Sequence, residues 1–276
     1  MKEIKAIITD LDGTLLDSNK QVSEYTRHIL KKAKENGIQI CLATGRCPES
    51  VEYKLSEWGL KGLVRFILAM NGSVIYDLQE KIKTDYYLMD GEELISVVEH
   101  FEDLPLIFQV LYGPGRYTSK ITPEWIRRTK MFGESLIQVD IKEFLKNRSM
   151  NKFFMIFDEK DMPVILERAS HLKNDRLYGF PSGRDCYEYV DHRISKGFAI
   201  QKLTQYLGID LDNCIAFGDA GNDIEMIQSV GMGVAMKNGS DEIKKVAAYQ
   251  TEYSNNEDGL ARFINKYLCL TKKDRL

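Results

Sequence analysis

Apolar positions along this chain follow two rhythms. Toward both ends, short runs rich in aliphatic and β-branched residues recur: IKAIIT at 4–9, IQICLA at 38–43, RFILAM at 65–70, NCIAFG at 213–218 and GVAM at 233–236. Such runs predict strands buried on both faces. Between them lie stretches with a helical stripe. Ser23 predicts the N-cap of a helix burying Ile29, Leu30 and Ala33, with Gly37 placed to stop it. Pro48 suits the first turn of a second helix and Gly59 its end. Asn71-Gly72 predicts a hairpin turn before SVIYD. Ser195 caps a helix over 196–208, another begins within 222–229, and Ser240 caps a further one. Strands separated by helices imply βαβ units and a parallel sheet.

From about Thr84 the rhythm changes. Polar-aromatic strands come closer together, as LIFQVLY (106–112), LIQV (136–139) and NKFFMIF (151–157), interleaved with amphipathic helices. Asp90 and Glu93 form a capping box, and a second helix is expected from about Asp161 to Leu172. This α+β stretch is expected to end near CYEYVD (186–191), after which the βα rhythm returns. The predicted architecture is α/β: a doubly wound parallel-sheet core from residues 1–84 and 188–276, carrying an inserted α+β domain at 85–187.

Charge and composition narrow the function without naming it. A formal net charge of −3 leaves no basic footprint for nucleic acid or an anionic membrane. The tail Lys272-Lys273-Asp274-Arg275 reads as a solvated end. No apolar run approaches the ~18–20 residues that span a bilayer, and acids interrupt the start of the chain before a signal-peptide core could form. Five cysteines, odd in number and without a CxxC pair, read as free thiols in a reducing cytoplasm. The histidines follow no zinc-ligand spacing.

The candidate chemistry lies at strand ends. Asp10-Leu11-Asp12-Gly13-Thr14 follows the first strand directly, and Gly218-Asp219-Ala220-Gly221-Asn222-Asp223 follows the strand at 213–218. In open α/β sheets, ligands bind at the carboxyl ends of strands. A calcium loop is excluded for the first segment, because Leu15 stands where Gly is needed and Gln21 where a bidentate Glu is needed. Carboxylates gathered ~4 Å apart repel by several kcal/mol per pair and need protons or a cation. Mg²⁺ takes oxygen ligands and bridges carboxylates to phosphate, so a hydrated Mg²⁺ is the economical answer. Ala43-Thr44-Gly45-Arg46, ending the second strand, and Ile194-Ser195-Lys196-Gly197, opening a helix, suit an anion beside it.

These segments, in this order, resemble the haloacid dehalogenase superfamily, and most closely its Cof-type branch with a type IIB cap. Ala69-Met70-Asn71-Gly72-Ser73, Val234-Ala235-Met236 and Asn256-Glu257-Asp258-Gly259 extend the resemblance over nearly the whole chain. The resemblance implies a Mg²⁺-dependent phosphatase acting on a small phosphorylated metabolite, a sugar phosphate or phosphorylated cofactor, through an aspartyl-phosphate. Asp10 would be the nucleophile and Asp12 the acid and base. Mg²⁺ would sit on the Asp10 side chain, the Asp12 backbone carbonyl and Asp219, with Asp223 supporting it directly or through water. Thr44, Gly45, Lys196, Asn222 and the Leu11 N–H would hold the phosphoryl oxygens. The insert would select the substrate, with Tyr112, Arg116, Tyr117 and Arg184 as its candidate contacts. A phosphomutase of the same superfamily stays open, since the core motifs are shared. A phosphosugar-binding regulator without turnover would have lost a catalytic acid or the Lys, and neither is lost here.

Overall fold

The structure, a computed structural model, describes residues 3–270. The 272–275 tail lies outside them. Two compact units are resolved: one formed by the chain up to Thr84 and from Ser195 onward, the other by Asp85–Ile194.

The discontinuous unit is built on an eight-stranded sheet. Its order is Tyr249–Gln250, Met232–Ala235, Cys214–Gly218, Ala6–Thr9, Gln39–Ala43, Phe66–Ala69, Val74–Asp77 and Ile82–Asp85. The first six are parallel throughout. From Ala6–Thr9 the chain winds outward through Gln39–Ala43 and Phe66–Ala69. It then returns through Cys214–Gly218 on the opposite side, so the winding reverses between Ala6–Thr9 and Cys214–Gly218. Alternation within each strand buries both faces. Ala6, Ile8, Cys41, Phe66, Leu68 and Ala216 pack with Ala199, Ile200 and Leu203 of the Lys196–Leu207 helix and Met226 and Ile227 of Ile224–Ser229. On the other face Phe217 meets Phe263 edge-on, in the Gly259–Leu268 helix that lies beside Glu24–Glu35. Burying each such side chain contributes about 1.5–3 kcal/mol.

Local signals explain most boundaries. The Ser23 side chain accepts from Thr26 N and opens Glu24–Glu35, whose buried stripe includes Ile29, Leu30 and Ala33. The second helix is shorter than expected. Regular helix covers Pro48–Lys54, and the chain then turns so that the Leu55 carbonyl accepts from Leu60 and Lys61, with Gly59 at φ +67°. The Asn71-Gly72 hairpin is also wider than a two-residue turn. Ala69 pairs with Val74, and Met70, Asn71 and Gly72 between them have φ of +53°, +58° and +106°.

The Asp85–Ile194 unit holds a six-stranded sheet in the order Leu177–Pro181, Cys186–Asp191, Phe153–Ile156, Ile107–Tyr112, Gly115–Thr118 and Ser135–Gln138. All its pairs are antiparallel except the last. Phe108, Val110, Phe153, Met155, Tyr187 and Tyr189 line its core against Leu94, Val97, Phe101 and Ile165. The seam expected at 187/188 falls instead at Ile194/Ser195, because Cys186–Asp191 is hydrogen-bonded on both sides into this sheet.

Candidate active site

Sheet register builds the site. Thr9 pairs with Phe217, and Asp10 N donates to the Phe217 carbonyl at 3.0 Å, so Asp10 and Gly218-Asp219 leave adjacent strands side by side. That is where the winding reverses, the position at which open α/β sheets bind ligands.

Carboxylate oxygens of Asp10, Asp219 and Asp223 lie within 4.8 Å of one another. Lys196, whose side chain is 1% exposed, stands between two of them: its Nζ is 2.6 Å from Asp10 Oδ1 and 2.5 Å from Asp223 Oδ1. The other Asp223 oxygen accepts the backbone N–H groups of Asp219 and Ala220. One Asp223 oxygen thus shapes its own loop while the other meets the lysine. Gly218 is required there, since a Cβ would stand 2.4 Å from that of Asp223. Asp219 accepts from the Thr14 hydroxyl at 2.6 Å.

Charge in this cluster is unbalanced, three carboxylates against one ammonium. Burial pushes the Asp10 carboxyl up to about 7; Lys196 opposes this, while Asp223 and Asp219 add to it. Burial likewise raises Asp219, against the Thr14 hydrogen bond. Burial would lower the Lys196 ammonium, but Asp10 and Asp223 outweigh it and raise the lysine. Three oxygen donors at this spacing with two uncompensated negative charges fit a hard divalent cation.

Asp12 stands apart from the trio. Its Oδ2 accepts Arg46 Nε at 2.9 Å, and its Oδ1 accepts Arg46 Nη2 at 2.7 Å and Lys20 Nζ at 2.8 Å. Burial opposes ionisation, but Arg46 and Lys20 prevail and hold this carboxyl below the usual range. Neither Arg46, within the Thr44-Gly45-Arg46 motif, nor Lys20 is marked by the sequence as a partner of Asp12. Nothing in a one-dimensional pattern pairs residues 34 and 8 positions away from Asp12.

The remaining candidates line the same edge. Thr44 is 2% exposed; its N–H donates to Leu68, its carbonyl accepts from Asn71, and its Oγ1 accepts from Arg46 N. Gly45 follows, partly exposed. Leu11 is fully buried, and its carbonyl accepts from Thr14, Leu15 and Leu16 to close the turn after Asp10. Asn222 is exposed, with Nδ2 3.5 Å from Asn71 Oδ1. Asn238 reaches the turn too, its Nδ2 2.7 Å from the Gly13 carbonyl. Nothing in the sequence pairs these residues, which stand 225 positions apart. In the other unit, Arg116 is buried against Glu134 and Gln109, and Tyr117 stacks on Phe144. Tyr112 and Arg184 are exposed.

Among the described residues no helix is long and apolar enough to cross a membrane, and the five cysteines form no disulfide. The family model of haloacid dehalogenase-like hydrolases matches residues 7–264. A Bacillus subtilis (strain 168) protein named 5-amino-6-(5-phospho-D-ribitylamino)uracil phosphatase is 29% identical over 274 residues, covering 96% of this chain and 97% of that one. A Klebsiella pneumoniae (strain 342) protein named HMP-PP phosphatase is 30% identical over 237 residues, 85% of each chain. The crystal structure of a haloacid dehalogenase-like hydrolase from Bacteroides thetaiotaomicron superposes with a TM-score of 0.86 at 26% identity, covering 96% of this chain and all of that one.

Proposed function

Because this chain belongs to the haloacid dehalogenase-like hydrolases and is a phosphoric monoester hydrolase, we propose that it dephosphorylates a small phosphorylated metabolite through the Asp10 carboxylate, with Mg²⁺ as cofactor. The observation that carries this reading is the carboxylate trio of Asp10, Asp219 and Asp223, three acids sharing the single ammonium of Lys196, at the reversal point of the sheet.

Asp10 attacks phosphorus; the bond to the leaving oxygen breaks as the Asp10–phosphorus bond forms. In the substrate complex Asp12 exchanges its hydrogen bonds to Arg46 and Lys20 for one to the leaving oxygen, takes up a proton from solvent as those cations withdraw, and gives it to that oxygen. Asp12 then takes a proton from water, whose oxygen displaces Asp10 and releases inorganic phosphate. Lys196, the Thr44 hydroxyl, the Asn222 amide and the Gly45 and Leu11 N–H groups hold the phosphoryl oxygens, and positioning and charge neutralisation of this kind is most of what phosphoryl transfer asks of a protein. The Asp10 and Asp219 side chains and the Asp12 carbonyl would hold Mg²⁺, with Asp223 supporting it directly or through water. When bound, the ion neutralises charge on the phosphoryl group. The Asp85–Ile194 unit is proposed to choose among substrates. Two relatives, one named for a phosphorylated ribitylaminouracil and one for HMP-PP, support a small phosphorylated metabolite as the class.

Inorganic phosphate release from a panel of phosphorylated metabolites, with and without Mg²⁺, tests the proposal. Turnover that needs both Mg²⁺ and Asp10 is expected. Hydrolysis undiminished in EDTA would defeat the metal assignment, and no hydrolysis of any ester would defeat the activity.

A further inference from the structure

Two cations, Arg46 and Lys20, attend one carboxylate at Asp12. Both are anchored. Trp58, 1% exposed, lies under the Arg46 guanidinium at 5.6 Å, and its Nε1 donates to the Lys20 carbonyl at 3.0 Å. The Arg46 backbone is fixed as well, its N–H on Thr44 Oγ1 and its carbonyl accepting from Met70. The corner is also open. The Asp12, Arg46 and Lys20 side chains are 39%, 16% and 55% exposed, against 1% for Lys196.

We propose that Arg46 and Lys20 form a receiving site for a second anionic group on the leaving half of the substrate, so that the preferred esters release an alcohol carrying its own carboxylate or phosphate. The proposal rests on the reading of Asp12 as the group that protonates the leaving oxygen. If that oxygen comes within hydrogen-bond reach of the Asp12 carboxyl, atoms two or three bonds beyond it come within reach of the two cations already bonded there. The Arg46 fork matches carboxylate or phosphate geometry, and Lys20 adds a mobile point charge. The exchange is noncovalent: the guanidinium passes some of its hydrogen bonds from Asp12 to the incoming anion. Lys196 serves the phosphoryl group being transferred; Arg46 and Lys20 serve the group being released.

Matched esters test this: 2-phosphoglycolate against 2-hydroxyethyl phosphate for a carboxylate, and D-fructose 1,6-bisphosphate against D-fructose 1-phosphate for a second phosphate. Each is assayed by kcat/KM with Mg²⁺ on the wild-type protein, Arg46→Gln and Lys20→Gln. The readout is the ratio within a pair, which partial loss of folded protein does not change. A wild-type preference of about tenfold or more for the anion-bearing ester in at least one pair, falling toward unity in both variants, is expected. The responding pair separates carboxylate from phosphate. Wild-type ratios within about threefold of unity in both pairs overturn the site, as does a preference that survives both substitutions. Failure of the wild type to hydrolyse all four esters and p-nitrophenyl phosphate would instead remove the phosphatase reading, and the site with it.

Discussion

A Cβ placed on Gly13 would stand 2.4 Å from Oδ2 of Asp219, a separation that real Cβ atoms do not reach. The turn after Asp10 and the loop after the Cys214–Gly218 strand therefore meet where a side chain is missing. Thr14 fastens the same contact from the next position, its hydroxyl on the other Asp219 oxygen.

Gly13→Ala is expected to act at that contact. The residue is at φ +87°, which L side chains resist, and the methyl group must displace the Asp219 carboxylate. Stability should fall by about 1–3 kcal/mol, and Mg²⁺ should bind more weakly. Urea unfolding and a Mg²⁺ titration check both, and unchanged affinity for the ion would contradict the placement of Asp219 in its site.

Asp10→Asn is expected to abolish turnover while leaving the fold intact, because it deletes a nucleophile and no packing. Turnover would be followed by phosphate release and the fold by circular dichroism. Wild-type activity in the variant would end the mechanism proposed above.

Lys196→Met leaves three carboxylates with no ammonium among them. Removing one partner of a buried pair costs about 3–5 kcal/mol, so the variant should unfold at markedly lower urea concentration without divalent cations. Saturating Mg²⁺ should restore part of the difference. Equal stability of the two proteins in EDTA would show that the cluster carries less charge than proposed.

Stability should also depend on pH through Asp10. Its carboxyl titrates near 7 in the folded protein and near 3.8 as an unperturbed group. Between those values the folded state holds the proton more firmly than the unfolded chain, so this group's contribution to stability is present at low pH and is lost as pH rises toward 7. A cation that replaces the proton reverses the trend. The gain in melting temperature from saturating Mg²⁺ should therefore grow between about pH 5 and about pH 8. A gain independent of pH would rule out Asp10 as a ligand.

Much of this fold can be read from periodicity alone. The five apolar runs at residues 4–9, 38–43, 65–70, 213–218 and 233–236 all coincide with strands of the larger sheet. What escaped carries weak or contrary local signals. Leu177–Pro181 contains Gly179 and ends in proline, yet pairs along its full length with Cys186–Asp191 as an edge strand. Gly115–Thr118 begins on the last residue of Gly113-Pro114-Gly115, a stretch that reads as turn. The Gly259–Leu268 helix went unread although Leu260, Ala261 and Ile264 form a buried stripe. At the site, residues belonging to motifs were legible and their brackets were not. Arg46 and Lys20 on Asp12, Thr14 on Asp219 and Asn238 on Gly13 are contacts made by the fold.

The interrupted sheet sets an order of events during synthesis. Ala6–Thr9 is a central strand, but its neighbour Cys214–Gly218 emerges some two hundred residues later. At about 5–20 residues per second that interval is roughly 10–40 s. Asp85–Ile194 is continuous and has every strand of its own sheet to hand before then. One flank of the oldest strand thus stays unpaired while the insertion matures, and the acidic trio comes into being only with the last third of the polypeptide.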